Sequence, residues 1–127
     1  MPILKDIMTG DVFRTSRTTT VSEVAEAMLK GRFGSAVVME GSVLMGIVTE
    51  RDVLRAVAAH VDTTTANVAD WMTPDPVTAA PDMDVSEAAE TMMSQGFRHL
   101  PVVEGNAVTG IVSLRDILRT RVRRSTS

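Results

Sequence analysis

The stretch Gly46-Ile47-Val48-Thr49-Glu50-Arg51-Asp52 returns as Gly110-Ile111-Val112-Ser113-Leu114-Arg115-Asp116, displaced by 64 residues. The same displacement, without a gap, aligns Asp6 with Asp70, Met8 with Met72, Thr9 with Thr73 and Asp11 with Asp75. It also aligns Val21-Ser22-Glu23 with Val85-Ser86-Glu87, Ala25-Glu26 with Ala89-Glu90, Met28 with Met92 and Phe33 with Phe97. Val38 with Val102, Glu40-Gly41 with Glu104-Gly105, and Leu54-Arg55 with Leu118-Arg119 complete the register. The chain is a tandem duplication of a unit of about 55 residues, and a period of that length in two copies is not a solenoid. One such unit buries only a thin core by itself. Two copies packed face to face about a pseudo-two-fold axis solve that problem, and this is the expected architecture.

Each copy reads as strand, helix, strand, strand, helix. Ile3 to Met8 is a short apolar turn leading in, and Val12 to Thr15 suits a short strand. Thr20 with Glu23 forms a capping signature, with Asp84 and Glu87 as its counterpart. Behind it, Val21, Val24, Ala25, Met28 and Leu29 share one helical face. Gly31, or Gly96 in the second copy, is the stop signal. The apolar runs Ala36 to Met39 and Val43 to Val48 are joined by Glu40-Gly41-Ser42, a tight hairpin repeated as Glu104-Gly105-Asn106. A second helix is expected from Glu50 to about His60, with Val53, Leu54, Val57, Ala58 and Val61 on its apolar face. Elements alternating at this length predict an α/β (α+β) fold built of two β-α-β-β-α units. The expected boundaries are 1–60 for the first repeat, 61–68 for a polar linker, 69–122 for the second repeat and 123–127 for a basic tail.

Composition narrows the function classes. A chain of 127 residues with 44% hydrophobic and 23% charged side chains is an ordinary globular protein. A net charge of −3 gives no general drive toward nucleic acid or an anionic membrane. The absence of cysteine removes disulfides, thiolate nucleophiles and Cys-based zinc sites. No apolar run reaches the roughly 18 residues needed to span a bilayer, and no leader pattern opens the sequence, so a cytoplasmic protein is expected. Aromatics at 3% do not suit base-stacking platforms. Two distant histidines, His60 and His99, do not suggest a transition-metal site. No nucleophile–base constellation or phosphate-cradling Gly-rich loop is present, so no catalytic residues are expected.

The two junctions of the repeated motif admit two readings. Thr49 with Asp52, and Ser113 with Asp116, fit a plain helix N-cap with an acid in the first turn, worth about 0.5–2 kcal/mol without any ligand. They also place a hydroxyl and a carboxylate at a strand end opening onto a helix N-terminus, where an anion can be held. Arg98-His99 stands where the first copy has Gly34-Ser35, so one copy supplies charge and the other room. His99 can titrate near neutral pH. Arg119, Arg121, Arg123 and Arg124 concentrate basic charge at the C-terminus, either as a solvated helix end or as a phosphate-contacting tail. Trp71 replaces Ile7 of the first copy and is expected to pack between the repeats.

The duplicated unit, the Asp-x-Met-Thr lead-in, the run Leu100-Pro101-Val102-Val103 and the Gly-Ile-Val-Thr/Ser-x-x-Asp ending together resemble the CBS domain, named after cystathionine β-synthase. The resemblance covers about residues 1 to 122. It implies a tandem CBS pair (Bateman module) that binds AMP, ADP, ATP or S-adenosylmethionine between its repeats. Asp52 and Asp116 would then hold the ribose hydroxyls, with Thr49 and Ser113 beside them. Arg98 and His99 would approach phosphate, and Gly34 and Ser35 would leave space. The lead strands Val12 to Ser16 and Val77 to Ala80, carrying Thr15, Thr78 and Ala79, would flank adenine. The family further implies a homodimer forming a disc of four repeats and a regulatory role on an effector protein, here without an attached output domain. The nucleotide would be a regulatory ligand, with no obligatory cofactor and no metal. The alternatives are a structural dimerisation module without a ligand, and more weakly a nucleic-acid binder acting through the arginine-rich end.

Overall fold

The computed structural model describes residues 2–126, with side chains described as far as residue 120. The side chains of Arg121, Arg123 and Arg124 of the basic run therefore lie outside what is described. The chain divides into two compact units: one is Phe13–Pro76, and the other joins the residues up to Val12 to those from Val77 onward.

In the first of these, β1 (Arg14–Ser16) pairs in parallel with β2 (Ser35–Glu40). Strand β2 is antiparallel to β3 (Val43–Thr49), which is antiparallel to β4 (Thr73–Pro74). The helices are α1 (Val21–Gly31) and α2 (Glu50–Ala58). The other unit holds α3 (Val85–Gln95), β5 (His99–Glu104), β6 (Ala107–Ser113) and α4 (Leu114–Thr126), with β5 antiparallel to β6. Its outer strands shrink to single bridges, Ala79 parallel to Val102 and Thr9 antiparallel to Ile111. Every pairing obeys the sequence repeat. Thr15 faces Val38 as Ala79 faces Val102, Ile47 faces Thr73 as Ile111 faces Thr9, and the register breaks at Val38/Met39 and again at Val102/Val103.

The lead-ins are exchanged. Thr9, from ahead of the first repeat, pairs with the second repeat's β6, while Thr73, from ahead of the second, pairs with β3. The burial is exchanged with them: fully buried Leu4 packs with Met92, Leu100, Val102, Val112 and Ile117, and its counterpart Val68 packs with Val24, Met28, Val38 and Val48. Removing such side chains from water is the main favourable term. The helix starts are served in the same way. The first two N–H groups of α1 donate to the carbonyls of Ala66 and Thr63 at 2.9 Å each. The third N–H donates to Thr20 Oγ1, and Glu23 returns a bond to the Thr20 N–H. The Val85 N–H of α3 donates to the Pro2 carbonyl at 3.0 Å, again one repeat away from Ala66. The first three donors of α1 and the first two of α3 thus find partners.

The structure matches the expected mixed α/β units, the lead-in turns and the hairpins, where Gly41 and Gly105 take φ of 61° and 62°. It departs from expectation in several places. Strand β1 begins at Arg14, after the buried Val12. Leu29 is 83% exposed and leaves the α1 face formed by Val21, Val24 and Met28. Helix α2 buries Asp52 and Ala56, whereas Leu54 and Val57 face outward at 65% and 55% exposure. Gly31 is the last helical residue, and Arg32 carries the left-handed C-cap at φ 60°. A Cβ on Gly31 would lie 2.5 Å from the Phe33 ring, which stacks on Phe13. Asp84 caps α3 through the Ser86 N–H at 2.7 Å without a return bond from Glu87.

Candidate functional site

Each unit carries one strand-to-helix junction. In the unit Phe13–Pro76, the β2–β3 register sets Ser35 opposite Thr49, and the Glu50 N–H donates to the Gly34 carbonyl at 3.3 Å. Thr49 is extended and forms a reciprocal capping box. Its N–H and its hydroxyl donate to Asp52 Oδ2 at 2.9 and 3.2 Å, and the Asp52 N–H reaches Thr49 Oγ1 at 3.4 Å. Arg55 Nη1 donates to the other carboxylate oxygen, Oδ1, at 3.0 Å. The Arg55 guanidinium carbon lies 5.7 Å from the centroid of the Trp71 ring. Asp52 is 6% exposed, and both of its oxygens are engaged within its own unit.

The second junction has the same frame and a different tenant. The β5–β6 register sets His99 opposite Ser113, and the Leu114 N–H donates to the Arg98 carbonyl at 2.8 Å. The Ser113 N–H donates to Asp116 Oδ2 at 3.2 Å, and the Asp116 N–H to Ser113 Oγ at 3.1 Å. Asp116 Oδ1 has no hydrogen bond or ion pair among the described residues. Arg119 repeats the position of Arg55 but is exposed and makes no ion pair to Asp116 among the described residues. The counterpart of Trp71 is the half-buried Ile7, which offers no π face.

The fold therefore brings Gly34, Ser35, Thr49 and Asp52 together in one unit, and Arg98, His99, Ser113 and Asp116 together in the other. Ser35 is buried, His99 half-buried and Arg98 exposed. Thr15 faces Val38, three rungs along β2 from Ser35. Thr78 is exposed, and the N–H and C=O of Ala79 serve its pairing with β5. Sequence reasoning missed the roles of Arg55 and Trp71. The signal available was the acid–base spacing Asp52-x-x-Arg55 joined to the replacement of Ile7 by tryptophan. The motif glycines also acquire a purpose: a Cβ on Gly46 or Gly110 would strike Met72 or Met8 of the exchanged lead-ins. No group of three or more His, Asp or Glu side chains among the described residues is placed to hold a metal ion, and no helix is long and apolar enough to cross a membrane.

The CBS domain pattern matches residues 4–59 and again residues 68–123. The chain belongs to the CBS domain family. This CBS pair is 36% identical over 118 residues to the CBS domain-containing protein YhcV of Bacillus subtilis, covering 92% of this chain and 84% of that protein. Among solved structures it is similar to the CBS domain pair of protein MJ0100 in complex with 5-methylthioadenosine and S-adenosyl-L-methionine. That match has 26% identity and a TM-score of 0.89 over 97% of this chain and 98% of that one. It is also similar to a hexameric CBS-CP12 protein from bloom-forming cyanobacteria, at 29% identity and a TM-score of 0.86, covering 92% of this chain and 66% of that one.

Proposed function

We propose that this CBS pair is a non-catalytic regulatory module that binds an adenosyl ligand, an adenine nucleotide or S-adenosylmethionine, with the ribose on Asp116. The observation that carries this reading is the Oδ1 of Asp116 at the start of α4, which has no partner among the described residues. A carboxylate oxygen with free lone pairs suits the vicinal hydroxyls of a ribose, and charge-assisted bonds of this kind contribute on the order of 1.5–3 kcal/mol each. The ligands named for the MJ0100 pair share an adenosyl group with the nucleotides, which supports that class. Arg98 and His99, one strand away from Ser113, supply the charge for a phosphate. Thr78 and Ala79, in the same unit as Asp116, are the candidates to meet the adenine, while Thr15, Gly34 and Ser35 stand at the first junction.

The output runs through self-association and an effector protein. Each unit leaves the same apolar residues outward on its two helices: Leu29 and Leu54 in one, Met93 and Leu118 in the other, all more than half exposed. Helical faces of that kind suit a homodimer. Ligand biases the assembly only by its difference in affinity between two arrangements. Calorimetry with AMP, ATP, S-adenosylmethionine and methylthioadenosine tests the reading. Heat of binding that is lost in Asp116→Ala is expected, and no heat from any of them at millimolar concentration would overturn it.

The structural reading, a dimerisation module whose junctions are only caps, is favoured by one observation: the Thr49–Asp52 pair is satisfied entirely within its own unit. It describes the first junction and not the second.

A further inference from the structure

We propose that Arg55 is a built-in occupant of the first junction, latched between Asp52 and the face of Trp71, so that the chain takes its ligand at Asp116 alone. This rests on the ribose reading given above. The two junctions have the same strand register, the same hydroxyl cap and the same carboxylate, so an inherited difference must lie in what surrounds the acid. Arg55 Nη1 fills Asp52 Oδ1, the oxygen whose counterpart on Asp116 has no partner among the described residues. An arginine three residues on is present in both copies, so its presence alone does not close a junction.

What differs is the floor beneath it. Trp71 presents an aromatic face 5.7 Å from the Arg55 guanidinium, and tryptophan is the most favourable partner for such a cation. Ile7 offers no ring quadrupole to Arg119. The indole holds Arg55 in the one rotamer that reaches Asp52, which lowers the entropy lost in forming the ion pair. A ribose arriving at Asp52 must displace a charge-assisted bond and leave the guanidinium over its ring without its anion. A ribose arriving at Asp116 Oδ1 displaces no hydrogen bond or ion pair of the described residues. The latch is therefore encoded by two residues together, Arg55 and Trp71, and either one alone leaves the junction open.

The expected result in calorimetry with methylthioadenosine or AMP is one ligand per wild-type chain and two per chain in Arg55→Ala and in Trp71→Ile. Asp116→Ala should abolish binding, and the double variant Asp116→Ala with Arg55→Ala should recover it at least tenfold over Asp116→Ala alone. Two ligands per wild-type chain would overturn the latch while leaving the ribose reading intact, and undiminished binding in Asp116→Ala would overturn both. A ligand-independent readout separates the two proposals. Trp71 is the sole tryptophan, so its emission and acrylamide quenching report the latch directly. Arg55→Ala and Asp52→Asn should each alter that emission in the unliganded protein. Unchanged emission in both would overturn the latch even if no ligand binds to any variant, an outcome that would end the ribose reading.

Discussion

Met8 lies against Gly110 as Met72 lies against Gly46, so the glycine that opens each copy of the repeated motif is the floor for a methionine of the exchanged lead-in. A Cβ on either glycine would come 2.5 Å from the methionine sulfur. The two positions are not equivalent. At Gly110 the other close atoms are Met8 Cγ and Cβ at 2.8 and 3.2 Å, all on one flexible side chain. At Gly46 the Thr73 carbonyl oxygen also stands at 2.7 Å, and backbone cannot swing aside. Gly46→Ala should therefore cost about 1–3 kcal/mol, as overpacking does, and Gly110→Ala measurably less. Urea denaturation of both variants checks the order, and equal losses would contradict it.

Helix α1 ends on Arg32 at φ 60°, where α3 ends on Gly96 at φ 79°. A side chain in the left-handed region carries a penalty that glycine avoids. Arg32→Gly should stabilise the protein by about 1 kcal/mol, and Gly96→Arg should cost a similar amount. A lower urea midpoint for Arg32→Gly would refute this.

The Thr20 hydroxyl and N–H both donate to Glu23 and hold its carboxyl below its ordinary value of 4.5. Asp62 is likewise lowered from 3.8 by the Thr64 hydroxyl and N–H. A carboxyl lowered in the folded state contributes stability that is complete above its unfolded value and is lost as the pH falls through the folded one. Glu23→Gln should thus be less stable than wild type at neutral pH. The gap should close on the acid side of 4.5. A constant gap across the titration would show that the two bonds do not distinguish the ionised form.

Asp52 and Asp116 should respond differently to the same substitution. Asp52→Ala removes two cap bonds and the bond to Arg55 from a buried position, and should cost about 1–2 kcal/mol of stability without weakening ligand binding. Asp116→Ala removes a single return bond of the cap and should cost less stability. Its ligand affinity should fall by about tenfold or more, the equivalent of about 1.4 kcal/mol. Thermal unfolding and calorimetry on the two variants check both halves.

Leu54 is 65% exposed and Leu118 52% exposed at matching positions of α2 and α4. If they are the dimer contacts, Leu54→Glu with Leu118→Glu should yield a folded monomer by sedimentation. Wild type sedimenting as a monomer at high concentration would remove the homodimer from the proposal.

Much of the architecture was legible because its signals are local. The Thr20–Glu23 cap, the Gly41 and Gly105 hairpins and the alternating runs each lie within a few residues, and the repeat displays them twice. The apolar face of α2 was misread because its inward residues include a carboxylate. Asp52 is buried only by virtue of the partners that satisfy it, and Ala56 carries little apolar signal. The exchange of Leu4 and Val68 was hidden for a different reason. Two copies with one pattern cannot reveal which copy a lead-in packs against, since either pairing buries the same side chains. The candidate site was legible as residue types, while the contrast between Arg55, bonded to Asp52 over Trp71, and Arg119, without an ion pair to Asp116 among the described residues, needed three-dimensional neighbours.

The exchanged lead-ins make Phe13–Pro76 an insertion within a discontinuous unit. The inserted unit is a continuous segment and can assemble as soon as Pro76 has been synthesised. Its host must wait until Leu4 and Thr9, ahead of the inserted segment, are met by α3 and β6, which follow it. Closing so long a span costs chain entropy before any contact returns it, which slows the step. The host is also the half that carries Asp116. A chain that stops after Pro76 would consequently hold a finished inserted unit while lacking Asp116, so the ligand binding proposed above would be acquired only once the discontinuous unit has closed.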